Sequence, residues 1–258
     1  MSKLVDRLKQ AAQTSPQPMG FRMAKKEYKQ PRMVLVASLS VANIKNLADT
    51  VAGADGGLFT VAPEALSGTL EGTLKTGPDV AWGARLESGS RAEIEQVVKT
   101  ACDFIVFPAD KTSLAVMQHN ELGKVLEVED TAGDSVLLAI KDLPVDALLL
   151  TMEKDVDYYL SYRHLIQVQR FAGLSAKPLL IPVPVDVTAD ELQALWEAGV
   201  DGVLVGAGSG EPEGRVGELR KLIDGLTLPS TRKRSKREPL LPFLSQGRIS
   251  AAEEEEEE

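Results

Sequence analysis

The chain has 258 residues, of which 43% are hydrophobic, so it is long enough to bury a large core within one domain. A single cysteine, Cys102, excludes a disulfide framework and a Cys-rich metal site, and the presence of only two histidines excludes a multi-His metal cluster. This cysteine usage predicts a reducing, cytoplasmic compartment, and the composition indicates no particular cofactor.

The net charge of −9 is concentrated at one end of the chain. Six of the 38 acidic residues form the run Glu253–Glu258, so residues 1–252 carry 32 acidic and 29 basic residues, a net charge of −3. No apolar run approaches the roughly 20 residues that span a bilayer, and the N-terminus lacks the basic-then-apolar order of a signal peptide. We therefore expect a soluble protein that is not exported and has no membrane partner.

The first 32 residues precede the repeating part of the sequence. Within Ser2–Gln13 the apolar residues Leu4, Val5, Leu8 and Ala11 recur at helical spacing among charged residues, which predicts a short amphipathic lead helix. Residues 19–32 are basic and irregular, and we interpret them as a solvated connector.

From Met33 onward, apolar runs of strand length alternate with helical patterns. Such runs are typical of strands that are buried on both faces. The predicted strands are Met33–Leu39, Gly57–Val61, Val80–Leu86, Phe104–Phe107, Val125–Glu129, Ala147–Met152, Leu179–Val183 and Gly202–Val205. The predicted helices between them include Asn43–Ala52, Pro63–Thr76, Ser90–Ala101, Thr112–Asn120, Asp134–Leu143 and Tyr158–Phe171. Eight such units over residues 33–228 predict a parallel sheet closed into a (β/α)8 barrel, with an open doubly wound sheet as the alternative.

Residues 229–258 follow a different pattern. They contain the basic run Arg232–Arg237, an apolar patch at 239–244 and the terminal glutamates, which together predict a charged, disordered and irregular C-terminal tail. The basic run lacks interleaved aromatic residues and lies close to six glutamates, which argues against a nucleic-acid partner. Docking of the apolar patch onto the barrel or onto a partner, and assembly into a homo-oligomer, both remain open.

Catalytic side chains in this architecture belong at the carboxyl ends of the strands. Strand parity places Arg85 and Glu87 on one face and the large apolar residues on the other, and the same parity places Glu127 and Glu129 together on the fifth strand. If the apolar faces meet the helices, these charges converge at the mouth of the barrel, where they could act as acid, base and anion clamp. The alternative is an ion-pair network without a catalytic role.

Two lysines raise the question of covalent catalysis. Lys154 follows the sixth strand and Lys111 follows the fourth, and a Schiff-base lysine requires a desolvated site that lowers its pKa. Lys154 is a candidate catalytic residue on this basis. Its acidic neighbours Glu153 and Asp155 would instead favour the protonated form, as Asp110 would for Lys111.

The last βαβ unit carries a family resemblance. Residues 185–209 read VDVTADELQALWEAGVDGVLVGAGS, with Thr188 placed to cap a helix and Gly199 placed to end it. This segment resembles the closing part of aldolase-type and ribulose-phosphate-binding TIM barrels, in which backbone amides of two Gly-rich loops hold a phosphate. The resemblance implies phosphate binding at Gly206, Gly208 and Ser209. At the other loop Val185-Asp186 stands where the family has two glycines, and the Asp186 carboxylate would repel a phosphate dianion.

Two functions follow from these observations. The first is a small-molecule lyase or isomerase that acts by acid/base chemistry on an anionic substrate, phosphorylated or not, with Arg85, Glu87, Glu127 and Lys154 as its catalytic residues. The second is a non-catalytic barrel that serves as a binding or assembly subunit.

Overall fold

The computed structural model describes residues 2–12, 32–40, 47–60, 79–100, 102–152, 159–207 and 214–228. Eight parallel strands form one closed barrel in the order of the sequence. Their bounds are β1 Val34–Ser40, β2 Gly56–Thr60, β3 Ala81–Arg85, β4 Phe104–Pro108, β5 Gly123–Glu129, β6 Ala147–Thr151, β7 Leu179–Val183 and β8 Gly202–Gly206. Because β1 pairs with both β2 and β8, the sheet has no edge, and the (β/α)8 barrel rather than the open sheet is confirmed.

The described helices lie before and between these strands. They are α1 Lys3–Ala12, α2 Leu47–Thr50, α3 Arg91–Lys99, α4 Asp134–Ile140, α5 Tyr162–Ser175, α6 Ala189–Ala198 and α7 Arg215–Gly225. In α6 the predicted cap is present, since Thr188 Oγ1 accepts the Glu191 N–H at 3.3 Å and the Thr188 N–H donates to the Glu191 carboxylate at 2.8 Å. The predicted helix Pro63–Thr76, the connector and the tail lie outside the described residues.

Two helix predictions need correction. Residues Thr112–Asn120 form a 3-10 helix at Leu114–Gln118 rather than an α-helix, because only Val116 is buried and Leu114 faces solvent. The helix predicted at Tyr158–Phe171 begins four residues later, because Ser161 is its N-cap. It extends to Ser175 and ends at Ala176 in the left-handed conformation.

An aspartate directly precedes each even-numbered strand: Asp55, Asp103, Asp146 and Asp201. The four backbone N–H groups donate to carbonyls of the preceding strands, at 2.7 to 2.9 Å. Three of the side chains also accept a backbone N–H from the preceding strand, namely that of Leu35, Lys124 or Leu179. The aspartates therefore add hydrogen bonds at the start of four strand pairs, a regularity that the sequence shows as Asp before a buried strand.

The lead helix α1 covers the amino-terminal end of the barrel. Leu4 and Leu8 are fully buried. The side chain of Asp103 contacts this helix instead of the preceding strand. Its carboxylate accepts the Leu4 N–H at 3.0 Å and the Ser2 hydroxyl at 2.6 Å. Arg7 donates to Asp55 at 3.3 Å, so this aspartate holds the helix as well. Lys9 adds an exposed pair with Asp146 at 3.0 Å.

Among the described residues, no helix is both long enough and apolar enough to cross a membrane.

Candidate functional site

The register of the strands sorts the barrel interior into layers. In a barrel of this kind each layer takes one side chain from every second strand. The register places Val36, Gly83, Val125 and Leu180 in one layer, and Leu58, Val106, Leu149 and Leu204 in the layer above it. Both layers are apolar, so the lower part of the barrel is a packed core.

The next layer toward the carboxyl ends of the strands carries polar side chains at three of its four positions. It consists of Ser38, Arg85, Glu127 and Pro182. All four residues are partly exposed, whereas Leu58, Val106 and Leu149 directly below are buried. Solvent therefore reaches the barrel interior from the carboxyl end down to this layer. This is where active sites of (β/α)8 barrels are found.

Arg85 and Glu127 contact each other across the interior. Arg85 is the last residue of β3, and Glu127 lies on β5. Arg85 Nε donates to Glu127 Oε2 at 2.9 Å, and Nη2 donates to Oε1, so the pair is bidentate. Because β4 lies between these strands, their side chains can meet only where the strand faces converge, inside the barrel. The parity argument thus placed both residues on the correct face.

The pair is neither fully buried nor freely solvated. The exposed fraction of the side chain is 36% for Arg85 and 14% for Glu127. A guanidinium has five N–H donors, of which the bidentate pair uses two. An anionic ligand that enters from the mouth could therefore bind Arg85 while Glu127 stays bound, or could take the place of Glu127 on Arg85.

The structure does not bring the other predicted acids into this pair. Glu87 lies on the loop after β3 with its side chain exposed. Glu129 is also exposed and accepts a hydrogen bond from the Thr131 hydroxyl at 3.2 Å. Lys154 lies outside the described residues, and Lys111 is exposed on the loop after β4. Arg85 and Glu127 are thus the two predicted site residues that contact each other directly.

Residues from α5 hold the end of β5 that carries Glu127. Arg163 donates to the buried carboxylate of Asp130 at 2.8 Å, and Arg170 donates to the backbone carbonyl of Asp130 at 3.3 Å. Partial burial, followed by the charge of Arg163, lowers the pKa of the neighbouring His164 below its ordinary value. These contacts fix the strand end from outside the barrel and leave the interior face to Glu127.

The loop after β7 differs from a cradle made of backbone amides. Arg215, the first residue of α7, donates from Nε to the carbonyl of Val185 and from Nη2 to the carbonyl of Val187 at 3.3 Å. The loop after β7 therefore presents carbonyl oxygens to Arg215. Gly206 is the last residue of β8 and pairs with Ser38, while Gly208 and Ser209 lie outside the described residues.

Sequence reasoning missed two threonine hydroxyl groups at the mouth. Thr60 and Thr151 occupy the layer above Arg85, together with Pro108 and Gly206. Each threonine is the last residue of its strand and is at least partly exposed. Strand parity extended to every strand would have identified them, because each lies an even number of positions from buried interior residues.

No family model matches this sequence, and no curated protein matches it. Solved structures do share its fold. A tryptophan synthase alpha subunit from Pyrococcus furiosus is 11% identical over 75% of this chain and 97% of its own, with a TM-score of 0.59.

Two further structures show the same likeness. Tryptophan synthase from M. tuberculosis is 16% identical over 74% of this chain and 93% of its own, with a TM-score of 0.54. A thiamine phosphate pyrophosphorylase from Pyrococcus furiosus is 14% identical over 74% of this chain and 96% of its own, also with a TM-score of 0.54. The chain therefore has the fold of aldolase-type TIM-barrel enzymes.

Proposed function

We propose that this protein is a lyase or isomerase that binds a small anionic substrate at the carboxyl end of the barrel. Arg85 holds the anionic group of the substrate, and Glu127 transfers a proton to or from the substrate. The observation that carries the proposal is the bidentate Arg85–Glu127 pair, which lies in a partly exposed layer of the barrel interior above two apolar layers. Fold likeness to aldolase-type enzymes supports the reaction class only by analogy.

The pairing itself suggests how the two residues work together. Before a substrate binds, Arg85 pairs with Glu127, so neither charge is left unpaired in the barrel interior. An incoming substrate carboxylate or phosphate competes for the same guanidinium, since both anions match its bidentate geometry. Displaced from Arg85, the Glu127 carboxylate is available as a base next to the bound substrate.

A phosphate on the substrate would bind at the end of β8. Gly206 has no side chain to obstruct a ligand. Gly208 and Ser209 are the other two residues that we propose for this phosphate site. Arg215 brings a positive charge beside the loop that contains Asp186, which offsets the repulsion expected from that carboxylate. Glu87 and Lys154 remain proposed contributors at the rim.

The alternative is a non-catalytic barrel that serves as a binding or assembly subunit. The observation that favours it is the same ion pair, because two charges that satisfy each other need no substrate. The two functions differ in what happens when Glu127 loses its charge. In the catalytic protein a proton transfer is lost, whereas in the non-catalytic protein only anion binding and stability change.

Exchange of carbon-bound protons for deuterium in D2O tests the proposed proton transfer. We expect the wild-type chain to exchange the protons adjacent to the carbonyl of small phosphorylated ketoses. The exchange is measured as loss of the proton NMR signals of these positions. Glu127→Gln should slow this exchange by about 10²- to 10⁴-fold, the range for removal of a general acid or base. Glu127→Gln should bind the same ketoses at least as tightly, as measured by ligand-induced thermal stabilisation.

Two further variants complete this experiment. Arg85→Gln should lose the ligand-induced stabilisation, while Lys221→Gln, an exposed cation on α7, should retain it. If the wild type exchanges no proton of these ketoses and Glu127→Gln changes only binding and the melting temperature, the result supports the non-catalytic alternative for this class of substrate.

A further inference from the structure

One side of the barrel wall is unusually apolar. Every exposed large hydrophobic residue within the described ranges comes from the segment between Leu114 and Ile166. Six of them lie on or next to helices α4 and α5, which are neighbours on the wall, and we call them the α4–α5 face: Val136, Leu138, Leu143, Tyr159, Tyr162 and Ile166. The described parts of α1, α2, α3, α6 and α7 contribute none.

The exposure of these side chains is large. Tyr162 is 84% exposed and Ile166, one helical turn further along, is 64% exposed. Together the six residues expose about 700 Å² when aromatic side chains are counted at 150–250 Å² each. The largest apolar patch of a typical monomer covers about 300–600 Å², and each partner in a stable interface contributes about 800 Å². The face is therefore close to the size of an interface.

Among the described residues, the charges beside these side chains are balanced. Two exposed residues of α4, its C-terminal turn and α5 are negative, Asp134 and Asp142, and two are positive, Lys141 and Arg163. A nucleic acid or an anionic membrane would require an excess of positive charge, which this face lacks. A surface that meets a copy of itself must avoid an excess of either sign, and the α4–α5 face meets this requirement.

We propose that the α4–α5 face is a self-complementary interface through which two copies of this chain form a dimer. We place Tyr162 and Ile166, the most exposed large apolar residues of the two helices, at its centre, and Arg163 and Asp134 at its polar rim. Since α4 and α5 lie on the outer wall, the barrel mouth of each copy stays open. The proposal is independent of the catalytic function proposed above.

Sedimentation velocity of the full-length chain tests this proposal. We expect the wild type to sediment with the mass of two chains at about 10 µM, a concentration above the dissociation constant of a stable dimer. The double variant Tyr162→Lys, Ile166→Lys should raise the dissociation constant by about 100-fold or more, because central apolar residues carry most of an interface's binding energy. Both positions are exposed, so circular dichroism should show an unchanged fold.

A matched control places the same two charges on another helix. Ala92 and Gln96 of α3 are exposed and, like Tyr162 and Ile166, are four residues apart. Ala92→Lys, Gln96→Lys should leave the dimer intact. A wild type that is monomeric at about 100 µM overturns the proposal. It is also overturned if the α5 variant stays dimeric or if both double variants dissociate equally.

If the wild type is monomeric, the apolar patch of the chain's own tail is the other candidate for this face. Hydrogen exchange of α5 in a Leu241→Asp, Phe243→Asp variant would then increase relative to the wild type.

Discussion

At the scale of single residues, the packing of the core below the Arg85–Glu127 pair depends on a glycine. A Cβ atom on Gly83 would lie 2.3 Å from Cζ of Phe104, far closer than van der Waals contact. Phe104 is 1% exposed, so its ring is enclosed and cannot move away from an added methyl group. Gly83 thus lets an aromatic ring fill the barrel interior two residues below Arg85.

We predict that Gly83→Ala lowers the free energy of unfolding by about 1–3 kcal/mol, the usual cost of overpacking a core. Gly173→Ala is the matched control, because Gly173 is in helix α5 with no atom within 4 Å of the added Cβ. That variant should be more stable by about 0.5–1 kcal/mol, since alanine is a better helix former. Denaturant unfolding measures both values, and equal effects of the two substitutions would contradict the packing argument.

At the scale of secondary-structure elements, α1 connects a local pattern to the whole barrel. Its apolar stripe is predictable from the sequence, yet its stability must come from packing, because a helix of 10 residues is marginal alone in water. The buried stripe closes the amino-terminal end of the barrel, opposite the candidate site. Residues of α1 should therefore affect stability and leave binding at the mouth unchanged.

The test is Leu8→Ala, which removes a fully buried side chain from α1. We expect a loss of about 2–5 kcal/mol in the free energy of unfolding. At roughly 2–4 °C per kcal/mol, the melting temperature should fall by about 4–20 °C. Gln10→Ala, on the exposed side of the same helix, should change the free energy by less than about 0.5 kcal/mol. A Leu8→Ala protein as stable as the wild type would mean that α1 does not cover the core.

At the scale of the whole molecule, the barrel is closed before the tail begins. The last strand, β8, pairs with β1, and α7 ends at Gly225, with Leu226 and Leu228 packed against the core. Residues beyond Leu228 are therefore not needed to complete the sheet.

We predict that a chain ending at Leu228 unfolds cooperatively and melts within about 4 °C of the full-length protein, which corresponds to roughly 1–2 kcal/mol. The comparison is made by calorimetry at equal concentration. A drop of more than about 8 °C would show that the tail contributes at least about 2 kcal/mol and is an integral part of the fold.

The sequence by itself determined the elements and the direction of their side chains. Alternating apolar runs and helical patterns predicted eight strands, and parity placed Arg85 and Glu127 on the inner face. Both predictions rest on periods of 2 and 3.6 residues, which are local properties of the backbone. These periods do not determine the type of a short helix. At Leu114–Gln118 only Val116 is buried, Leu114 and Met117 face solvent, and a 3-10 helix forms.

The tertiary structure alone decided which side chains meet. Arg85 and Glu127 are 42 positions apart, and they pair because the register across β4 brings both into one layer. The same holds for α1, whose position beneath the barrel depends on Asp55 and Asp103 from two different strand starts. Register and closure depend on contacts between segments far apart in the chain, and a pattern within one segment carries no information about them.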